Sequence, residues 1–255
     1  MNPRVSDWHG KRVWVIGAST GIGAETALLL LKLGARVALS ARRQEALDRL
    51  SEGKILAFPR SLDITDHASV LQVRDAIVGR WGGVDLLLIV AGGYSEMRAD
   101  QFDLDAANKL VDLNLRGVLN CLDAVLPMLL AQRSGAIGIV SSVAGYSGLP
   151  RALIYGATKA ALINLCESLY LDLRPQGIGV HLINPGFVAT PLTAENSFPM
   201  PALISAEQAA QYMVHGIERG EFHIHFPKRF TNCLRLARLL PYRLYFWLVH
   251  KVTGL

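Results

Sequence analysis

The chain has 255 residues, of which 51% are hydrophobic, and a formal net charge of +5. Such a chain has enough apolar material for one large core. Its three cysteines, Cys121, Cys166 and Cys233, are odd in number and widely spaced, which argues against a disulfide framework or a metal site and favours reduced thiols in a cytoplasmic protein. The N-terminus "MNPRVSDWHGKR" lacks an apolar signal segment, and no uninterrupted apolar run reaches the roughly 20 residues of a spanning helix, so we expect neither secretion nor a membrane crossing.

The positive charge is concentrated near the C-terminus. Residues 222–255 contain six Lys or Arg and no Asp or Glu, which leaves a net charge of −1 for the rest of the chain. The basic residues therefore form no face of the main domain, and they carry no recognisable nucleic-acid motif. We expect no nucleic-acid partner.

Short apolar runs alternate along the chain with segments of helical length. In chain order the runs are "RVWVIG", "RVALS", "KILAFP", "VDLLLIVAG", "GAIGIVSS" and "GIGVHLINPG". Strands that are apolar on both faces and are joined by amphipathic helices predict a parallel sheet that is covered on both sides. The expected fold class is therefore α/β, a single doubly wound Rossmann-type domain with a central parallel β-sheet flanked by helices.

One domain is expected to span residues 1–255. Residues 11–190 contain the regular alternation of strands and helices and form its core. In residues 191–221, Pro191, Pro199 and Pro201 interrupt any helix, which favours a mobile lid over the substrate. Residues 222–255 are predicted to form a last strand and a basic amphipathic extension.

The first predicted strand ends in the glycine-rich turn "GASTGIG". Glycine allows a backbone to turn sharply and to approach a pyrophosphate, while the amides of the following helix donate hydrogen bonds to it. The alternative is a tight turn that needs glycine only for its backbone. We predict a dinucleotide site here, formed by Gly17, Ser19, Thr20, Gly21, Ile22 and Gly23.

The second strand ends in Ala41, Arg42 and Arg43, where an NAD site usually carries an acid for the ribose 2′-hydroxyl. A guanidinium suits a 2′-phosphate instead. The expected cofactor is NADP(H), with NAD(H) less favoured. In the alternative interpretation, one or both arginines only begin a solvated helix face.

Four polar side chains suggest the chemistry. Tyr155 and Lys159 are four residues apart and share a helix face, Ser142 ends a strand, and Asn114 lies inside a helical pattern. Together with Gly17, Gly21, Gly23, Asp63, "AGG" at 91–93 and Asn184-Pro185-Gly186 with Thr190, these residues closely resemble the classical short-chain dehydrogenase/reductase family from about Lys11 to Thr190. Ile89-Val90 departs from the family pattern, which usually has two asparagines there.

The resemblance implies an oxidoreductase in which Asn114, Ser142, Tyr155 and Lys159 are catalytic. Tyr155 would be the proton donor or acceptor, Ser142 would orient the carbonyl, Lys159 would also hold the nicotinamide ribose, and Asn114 would position a water. Further cofactor contacts are implied at Asp63, Ile64, Ala91, Gly92, Pro185, Gly186, Val188 and Thr190. For Asp63 and Thr190, the alternatives are a cap of the next turn and a loop hydroxyl.

The acid–base role can also be argued from charge. A free phenol has a pKa near 10, and a cation about 4 Å from the phenolate would lower that pKa by up to about three units. Lys159 is expected to supply this cation. The competing functional hypotheses are an NAD-dependent alcohol dehydrogenase and a non-catalytic dinucleotide-binding sensor or scaffold.

The last parts of the chain concern the substrate and partners. Apolar residues after Thr190, namely Leu192, Phe198, Met200, Leu203 and Ile204, favour a hydrophobic or amphipathic carbonyl or alcohol. The tail predicts a strand at "EFHIHFP" and a basic helix broken near Pro241. That helix either lies on an anionic membrane surface as a peripheral contact or packs on the pocket or an oligomer interface. The family resemblance implies a homodimer or homotetramer, and no metal site is expected.

Overall fold

The computed structural model describes residues 1–194 and 198–254. Seven parallel strands form one sheet, and they are Arg12–Ile16 (β1), Arg36–Ala41 (β2), Ala57–Ser61 (β3), Leu86–Ile89 (β4), Ala136–Val140 (β5), Gly179–Pro185 (β6) and His223–Phe226 (β7). Their spatial order is β3-β2-β1-β4-β5-β6-β7. The predicted α/β class, with a doubly wound parallel sheet, is confirmed.

Helices cover both faces of the sheet. The α-helices are Gly21–Lys32 (α1), Gln44–Ser51 (α2), His67–Trp81 (α3), Leu104–Val111 (α4), Gly117–Gln132 (α5), Leu153–Leu173 (α6), Ala206–Glu218 (α7), Lys228–Ala237 (α8) and Tyr242–Thr253 (α9). Helices α1 and α7 pack together on one face, while α3 packs against α5 on the other. The domain therefore has three layers, with one apolar core on each side of the sheet.

The strand sequences explain why the sheet is buried. All four residues of β4 and all seven of β6 are buried, and in β1 Val13 and Val15 face one core while Trp14 and Ile16 face the other. Successive side chains of a strand point to opposite faces, so apolar residues are favoured at most positions, although β6 also buries the polar His181 and Asn184. This double burial produces the continuous apolar runs seen in the sequence.

The strand order changes direction between β1 and β4, which are neighbours in the sheet. From β1 the chain proceeds to β2 and β3 on one side, and it then returns to β4, β5, β6 and β7 on the other. The connections that leave the carboxyl ends of β1 and β4 separate at this point and leave a crevice, where open α/β sheets bind ligands. The fold thus places the ends of β1, β2, β4, β5 and β6 around one crevice.

The predicted lid region, residues 191–221, contains two kinds of structure. Its second part is α7, which buries Ala209, Met213 and Ile217 in the core and begins with a capping box between Ser205 and Gln208. Residues 191–194 and 198–204 contain no helix or strand. Residues 195–197 of this prediction lie outside the described part of the chain, and movement of the segment stays a prediction.

One helix of the described chain, Leu104–Gln132, is long and apolar enough to span a membrane by length and composition. It includes α4, the π-helical turn Asp112–Arg116 and α5. In its most apolar window 44% of the residues are buried within the protein, and α5 packs against α3 and β4. Such packing also occurs in the core helices of proteins that do not span a membrane, and the expectation of no membrane crossing stays a prediction.

The C-terminal extension forms two helices after β7. Ile224 and Phe226 of β7 are buried in the sheet, and Pro227 precedes α8. Helix α8 ends at Ala237 and α9 begins at Tyr242, directly after Pro241. Proline at that position has no amide hydrogen to continue a helical ladder, which accounts for the break that the sequence predicts.

Candidate active site

A cavity of about 630 Å³ lies at the carboxyl ends of the strands. All the residues that the sequence predicts to bind the cofactor line this cavity, namely Gly17, Ser19, Thr20, Gly21, Ile22, Gly23, Arg42, Arg43, Asp63, Ile64, Ala91, Gly92, Tyr155, Lys159, Pro185, Gly186, Val188 and Thr190. Ser142 lines it as well, whereas Asn114 is buried behind its wall. Residues that are up to 173 positions apart in the sequence are therefore brought to one space.

The glycine turn between β1 and α1 fits tightly against the rest of the site. Gly17 has φ +93°, and a Cβ there would lie 2.5 Å from the amide nitrogen of Ala91. A Cβ on Gly21 would lie 2.9 Å from Cγ2 of Thr190, and one on Gly23 would overlap the carbonyl oxygen of Gly17. The close approach of neighbouring atoms therefore requires glycine at these positions, as the alternative interpretation of the turn proposes. The same residues also line the cavity, so the turn remains open to a ligand.

The N-terminus of α1 is suited to an anion. Thr20 occupies the N-cap position without a side-chain capping hydrogen bond, and the first turn contains no acidic residue. The first amides of a helix lack intrahelical acceptors and carry the positive end of the helix dipole. Since Thr20, Gly21 and Ile22 line the cavity, this helix end can bind the phosphates of a dinucleotide.

Two arginines lie at the end of β2 on the cavity rim. Both Arg42 and Arg43 are exposed, and within residues 1–194 and 198–254 neither forms an ion pair within 4.0 Å. The charge of Arg42 contributes to lowering the pKa of Asp63, although the main cause is hydrogen bonding from Thr65. The guanidinium groups thus keep their donors for a ligand, and the lowered pKa of Asp63, which follows the neighbouring strand β3, keeps that carboxyl ionised.

The Ile89-Val90 pair occupies the end of β4, between the two sides of the crevice. Ile89 is 1% exposed in the core, and Val90 lines the cavity. The amides of Val90 and Ala91 both donate to the carbonyl oxygen of Ile16, at 2.8 and 2.9 Å. Backbone hydrogen bonds therefore connect β4 to β1 without the two asparagines of the family pattern.

Tyr155 and Lys159 lie on the first two turns of α6, on the face toward the cavity. The Lys159 ammonium is 5.7 Å from the centroid of the Tyr155 ring and donates to the carbonyl oxygen of Val140 at 3.0 Å. The Lys159 carbonyl in turn accepts from the Ser141 hydroxyl at 2.7 Å. These two bonds hold α6 against the end of β5, where Ser142 follows.

Burial changes the acidity of this pair. It raises the pKa of the Tyr155 phenol, and a hydrogen bond with the Ser142 side chain opposes the change in part. It lowers the pKa of Lys159 to about 8, because a low-dielectric environment disfavours the charged ammonium. The direction for Tyr155 is opposite to the expectation from the sequence, since desolvation of the phenolate is the largest cause of the change.

Asn114 organises the wall behind the cavity. Its side-chain amide donates to the Gly93 carbonyl at 3.0 Å and to the Thr158 hydroxyl at 3.2 Å, and its oxygen accepts from the Gly93 amide at 2.8 Å. The Thr158 hydroxyl donates to the Tyr155 carbonyl at 2.8 Å. Asn114 thus connects the turn after β4 to the helix that carries Tyr155. Both of its amide hydrogens are used within the chain.

Sequence reasoning did not identify three residues of this site. Tyr94 places its ring edge-on to Tyr155, with centroids 5.1 Å apart, and Ser141 and Thr158 make the hydrogen bonds described above. Tyr94 directly follows the "AGG" turn, and Ser141 and Thr158 each precede a predicted catalytic residue. Their positions next to motif residues are the only signal that the sequence contains for them.

A second polar cluster connects three strand ends behind the site. The Tyr146 hydroxyl and the Asn184 side-chain amide each lie 3.0 Å from Nε2 of His223. Burial, together with the charges of His225, Arg235 and Lys228, lowers the pKa of His223 to about 4, so the ring is neutral. In the tautomer protonated on Nδ1, Nε2 has one lone pair, which the two groups share. The cluster positions the segments that follow β5 and β6.

The cavity lining also includes apolar side chains. Among them are Leu113 and Leu192. Of the other residues predicted to shape the substrate site, Phe198 packs at 6.0 Å from Phe187 and Ile204 packs on the core. Leu203 is largely exposed. Among the residues that the structure describes, no group of three or more His, Cys, Asp or Glu is arranged to hold a metal ion.

Comparisons with known proteins place the chain among dehydrogenases. The family model described as short chain dehydrogenase matches residues 11–199. An uncharacterized oxidoreductase of Myxococcus xanthus is 36% identical over 231 residues, which cover 89% of this chain and 91% of that protein. The 3-oxoacyl-[acyl-carrier-protein] reductase FabG of Thermotoga maritima is 34% identical over 194 residues, covering 72% of this chain and 77% of the reductase.

A solved structure of known cofactor content has the same fold as this chain. The structure of ElxO with NADP bound is 26% identical to the chain and superimposes with a TM-score of 0.76. The match covers 85% of this chain and 96% of ElxO. The similarity of fold thus extends over most of both chains.

A glycine pair can test how far the backbone requires Gly17. Gly10→Ala introduces a side chain at φ +72° with no atom within 4 Å, so we expect a loss of about 1 kcal/mol in the free energy of unfolding from backbone strain alone. Gly17→Ala adds the clash with Ala91, and we expect a loss of at least roughly 3 kcal/mol. Urea unfolding of both variants measures the difference. Equal losses would contradict the close approach of Gly17 to β4.

The buried ammonium predicts a pH-dependent stability. Lys159 has a pKa of about 8 in the folded protein against an ordinary value of 10.5, so the unfolded chain binds more protons between these values and stability rises with pH there. Relative to Lys159→Met, the wild type should gain roughly 3 kcal/mol in unfolding free energy from pH 8 to 10.5. Lys32→Met, at an exposed position of α1, serves as the control. If the unfolding free energies of Lys159→Met and the wild type changed in parallel with pH, the burial effect would be contradicted.

Proposed function

The chain belongs to the short-chain dehydrogenase family of oxidoreductases, which bind a nicotinamide dinucleotide, and we propose that it interconverts a carbonyl and an alcohol with NADP(H). One observation supports this proposal above all others. Ser142, Tyr155 and Lys159 line the same cavity as the glycine turn and Arg42. A proton donor, a buried cation and a dinucleotide-shaped crevice therefore meet in a single space.

The chain's own groups account for cofactor binding. The amides at the start of α1 would bind the pyrophosphate, Asp63 and Ile64 the adenine end, and Thr190 the carboxamide. Arg42 would pair with the 2′-phosphate, since its guanidinium has no carboxylate partner within 4.0 Å among residues 1–194 and 198–254. The cofactor held by these residues would supply a hydride to the carbonyl carbon of the substrate, and negative charge would then develop on the carbonyl oxygen.

Ser142 and Tyr155 would complete the reaction on that oxygen. Ser142 donates a hydrogen bond to it, and the O–H bond of Tyr155 breaks as its proton moves to the oxygen, forming the alcohol and a phenolate. The raised pKa of Tyr155 supports a neutral phenol before the reaction, as a proton donor requires. Lys159 would stabilise the phenolate until it regains a proton. Asn114 would hold the helix that carries Tyr155 and, as the family resemblance implies, would also position a water.

We propose a hydrophobic or amphipathic substrate. The cavity that holds Tyr155 is also lined by Leu113 and Leu192, and the ring of Tyr94 stands beside Tyr155. Apolar walls of this kind favour a ligand with apolar substituents, while few polar groups fix its orientation. The similar Thermotoga maritima protein is named as a reductase of a 3-oxoacyl chain, which supports a carbonyl on an acyl or comparable apolar group.

Two other functions compete with this one. An NAD-dependent alcohol dehydrogenase would use the same site in the opposite direction, but the exposed arginines at the end of β2 favour a 2′-phosphate. A non-catalytic sensor or scaffold would need only the dinucleotide crevice. The presence of Ser142 and Tyr155 beside Lys159 in that crevice argues against such a function, because dinucleotide binding alone does not require a proton donor there.

We also propose that the protein acts in the cytoplasm as a homodimer or homotetramer, as the family resemblance implies. Helix α5 exposes Leu119 and Leu130, and α6 exposes Leu171. Exposed leucines on two neighbouring helices are typical of a surface that another subunit covers. Light scattering of the purified chain measures its mass.

Removing one hydroxyl group tests the catalytic proposal. We expect Tyr155→Phe to lower kcat by at least about 100-fold, because the proton donor is lost, and to leave the Kd of NADPH nearly unchanged. Tyr170→Phe is the matched control, since Tyr170 lies on the same helix and packs on Phe222 at 4.8 Å, outside the cavity lining. NADPH oxidation with a panel of long-chain and aromatic ketones and aldehydes measures kcat. Turnover close to that of the wild type in Tyr155→Phe would refute the mechanism.

The cofactor preference depends on the end of β2. We expect Arg42→Ala to raise the KM for NADPH by about 10- to 100-fold, the value of one charge-assisted contact, and to leave the KM for NADH unchanged. Arg43→Ala determines separately whether the second arginine takes part. Arg49→Ala, at an exposed position of α2, removes the same charge outside the cavity and serves as the control. An unaltered preference in both Arg42→Ala and Arg43→Ala would exclude the assignment.

A further inference from the structure

The surface formed by α8 and α9 has an unusual composition. Eight of the twenty exposed large hydrophobic side chains of the described residues lie between Leu236 and Val252. Most exposed among them are Tyr242, Leu239 and Val252, at 79%, 78% and 76%. This concentration within 17 residues exceeds what scattered surface leucines account for.

The two helices are anchored to the domain by a few inner residues. Tyr245 is 6% exposed and donates its hydroxyl to the Gly148 carbonyl at 2.8 Å. On α8, the buried Thr231 lies 2.6 Å from Nδ1 of His225, and Phe230 packs on Phe187 at 5.7 Å. The inner side thus makes specific contacts, and the exposed apolar residues belong to the outer side.

The charged residues of this C-terminal segment are all basic. Within the described part of the chain, all but Arg235, whose Nη1 lies 3.2 Å from Nε2 of the buried His225, are without a side-chain hydrogen bond to the inner side. Lys228, Arg229, Arg235, Arg238, Arg243 and Lys251 are the charged residues of segment 222–255. None of them forms an ion pair with a carboxylate in the part of the chain that the structure describes. The Lys251 ammonium lies 5.0 Å from the Trp247 ring centroid, and Tyr242 stacks on Phe246 at 5.7 Å. Aromatic rings and cations therefore alternate on one exposed surface.

We propose that the outer face of α8 and α9 binds the surface of a bilayer that contains anionic lipids. Leu, Phe and Trp side chains enter the boundary between headgroups and acyl chains, while Arg and Lys pair with the lipid phosphates. A second copy of this chain fits less well, because a symmetric contact would place one basic surface against an identical one. A nucleic acid would match the charge but would leave the leucines and Trp247 without apolar contacts.

The position of this face relates it to the cavity. Gly148, which accepts from Tyr245, lies six residues after Ser142, and Phe187, which packs on Phe230, directly follows Gly186. Both Ser142 and Gly186 line the cavity. The proposed lipid surface therefore adjoins the segments that border the active site, where an apolar substrate dissolved in the bilayer would arrive. Lipid binding itself does not depend on the proposed activity.

Tryptophan emission offers a direct measurement on the full-length protein. Of the four tryptophans, Trp8 and Trp14 are 4% and 0% exposed, Trp81 is half-buried, and Trp247 is 60% exposed. Vesicles of phosphatidylcholine with phosphatidylglycerol should co-sediment the protein and shift its emission to the blue. Pure phosphatidylcholine vesicles should do neither. Trp247→Phe should still sediment but lose the shift.

Charge reversal separates lipid binding from other causes. We expect Arg243→Glu with Lys251→Glu to lower the vesicle-bound fraction by at least about tenfold, and high salt to do the same to the wild type. Lys32→Glu with Arg36→Glu reverses two exposed charges elsewhere and should bind like the wild type. All these positions are at the surface, and circular dichroism verifies folding.

The opposite results would overturn the proposal. They are the absence of sedimentation with anionic vesicles, or equal losses in the two charge-reversal variants. If the wild type does not sediment and Arg243→Glu with Lys251→Glu has a lower mass by light scattering, the face belongs to a second copy of the chain. Binding of a DNA duplex in place of vesicles would assign it to nucleic acid.

Discussion

The buried ammonium of Lys159 is the interaction on which the site depends. Its Nζ donates to the carbonyl oxygen of Val140, and its own carbonyl accepts from Ser141, so that α6 is fixed against the end of β5. Because a charged group that is 4% exposed loses most of its hydration, such a contact persists only where the surrounding structure determines it. The contact also sets positions, since Tyr155 and Ser142 are both brought to the lining of one cavity.

The remaining elements follow from this arrangement. Asn114, in the π-helical turn between α4 and α5, connects Gly93 to Thr158 and so joins the end of β4 to α6. The Gly17 backbone packs on Ala91 from the other side. The ends of three strands and two helices thus meet at contacts so close that a Cβ would not fit. This tight packing makes the site rigid and gives the cavity a fixed shape.

The same packing changes the chemistry of the phenol. From spacing alone, Lys159 is expected to lower the pKa of Tyr155, yet burial raises it in the folded chain. The cation is 5.7 Å from the ring centroid and is itself partly deprotonated near pH 8. A low-dielectric site disfavours any isolated charge. The neutral phenol is consistent with a proton donor, and charge stabilisation becomes important only as the phenolate develops.

The sequence by itself determined the parallel α/β architecture, the glycine turn and the Tyr155–Lys159 pair, because strand burial, turn geometry and helix spacing are local or periodic constraints. It also placed the break at Pro241. Tertiary structure alone decided that Asn114 turns inward to Gly93, that Tyr94 stands beside Tyr155, that α7 packs on α1, and that the apolar side chains of α8 and α9 face outward. These features depend on desolvation and on contacts between segments distant in sequence, which no local pattern specifies.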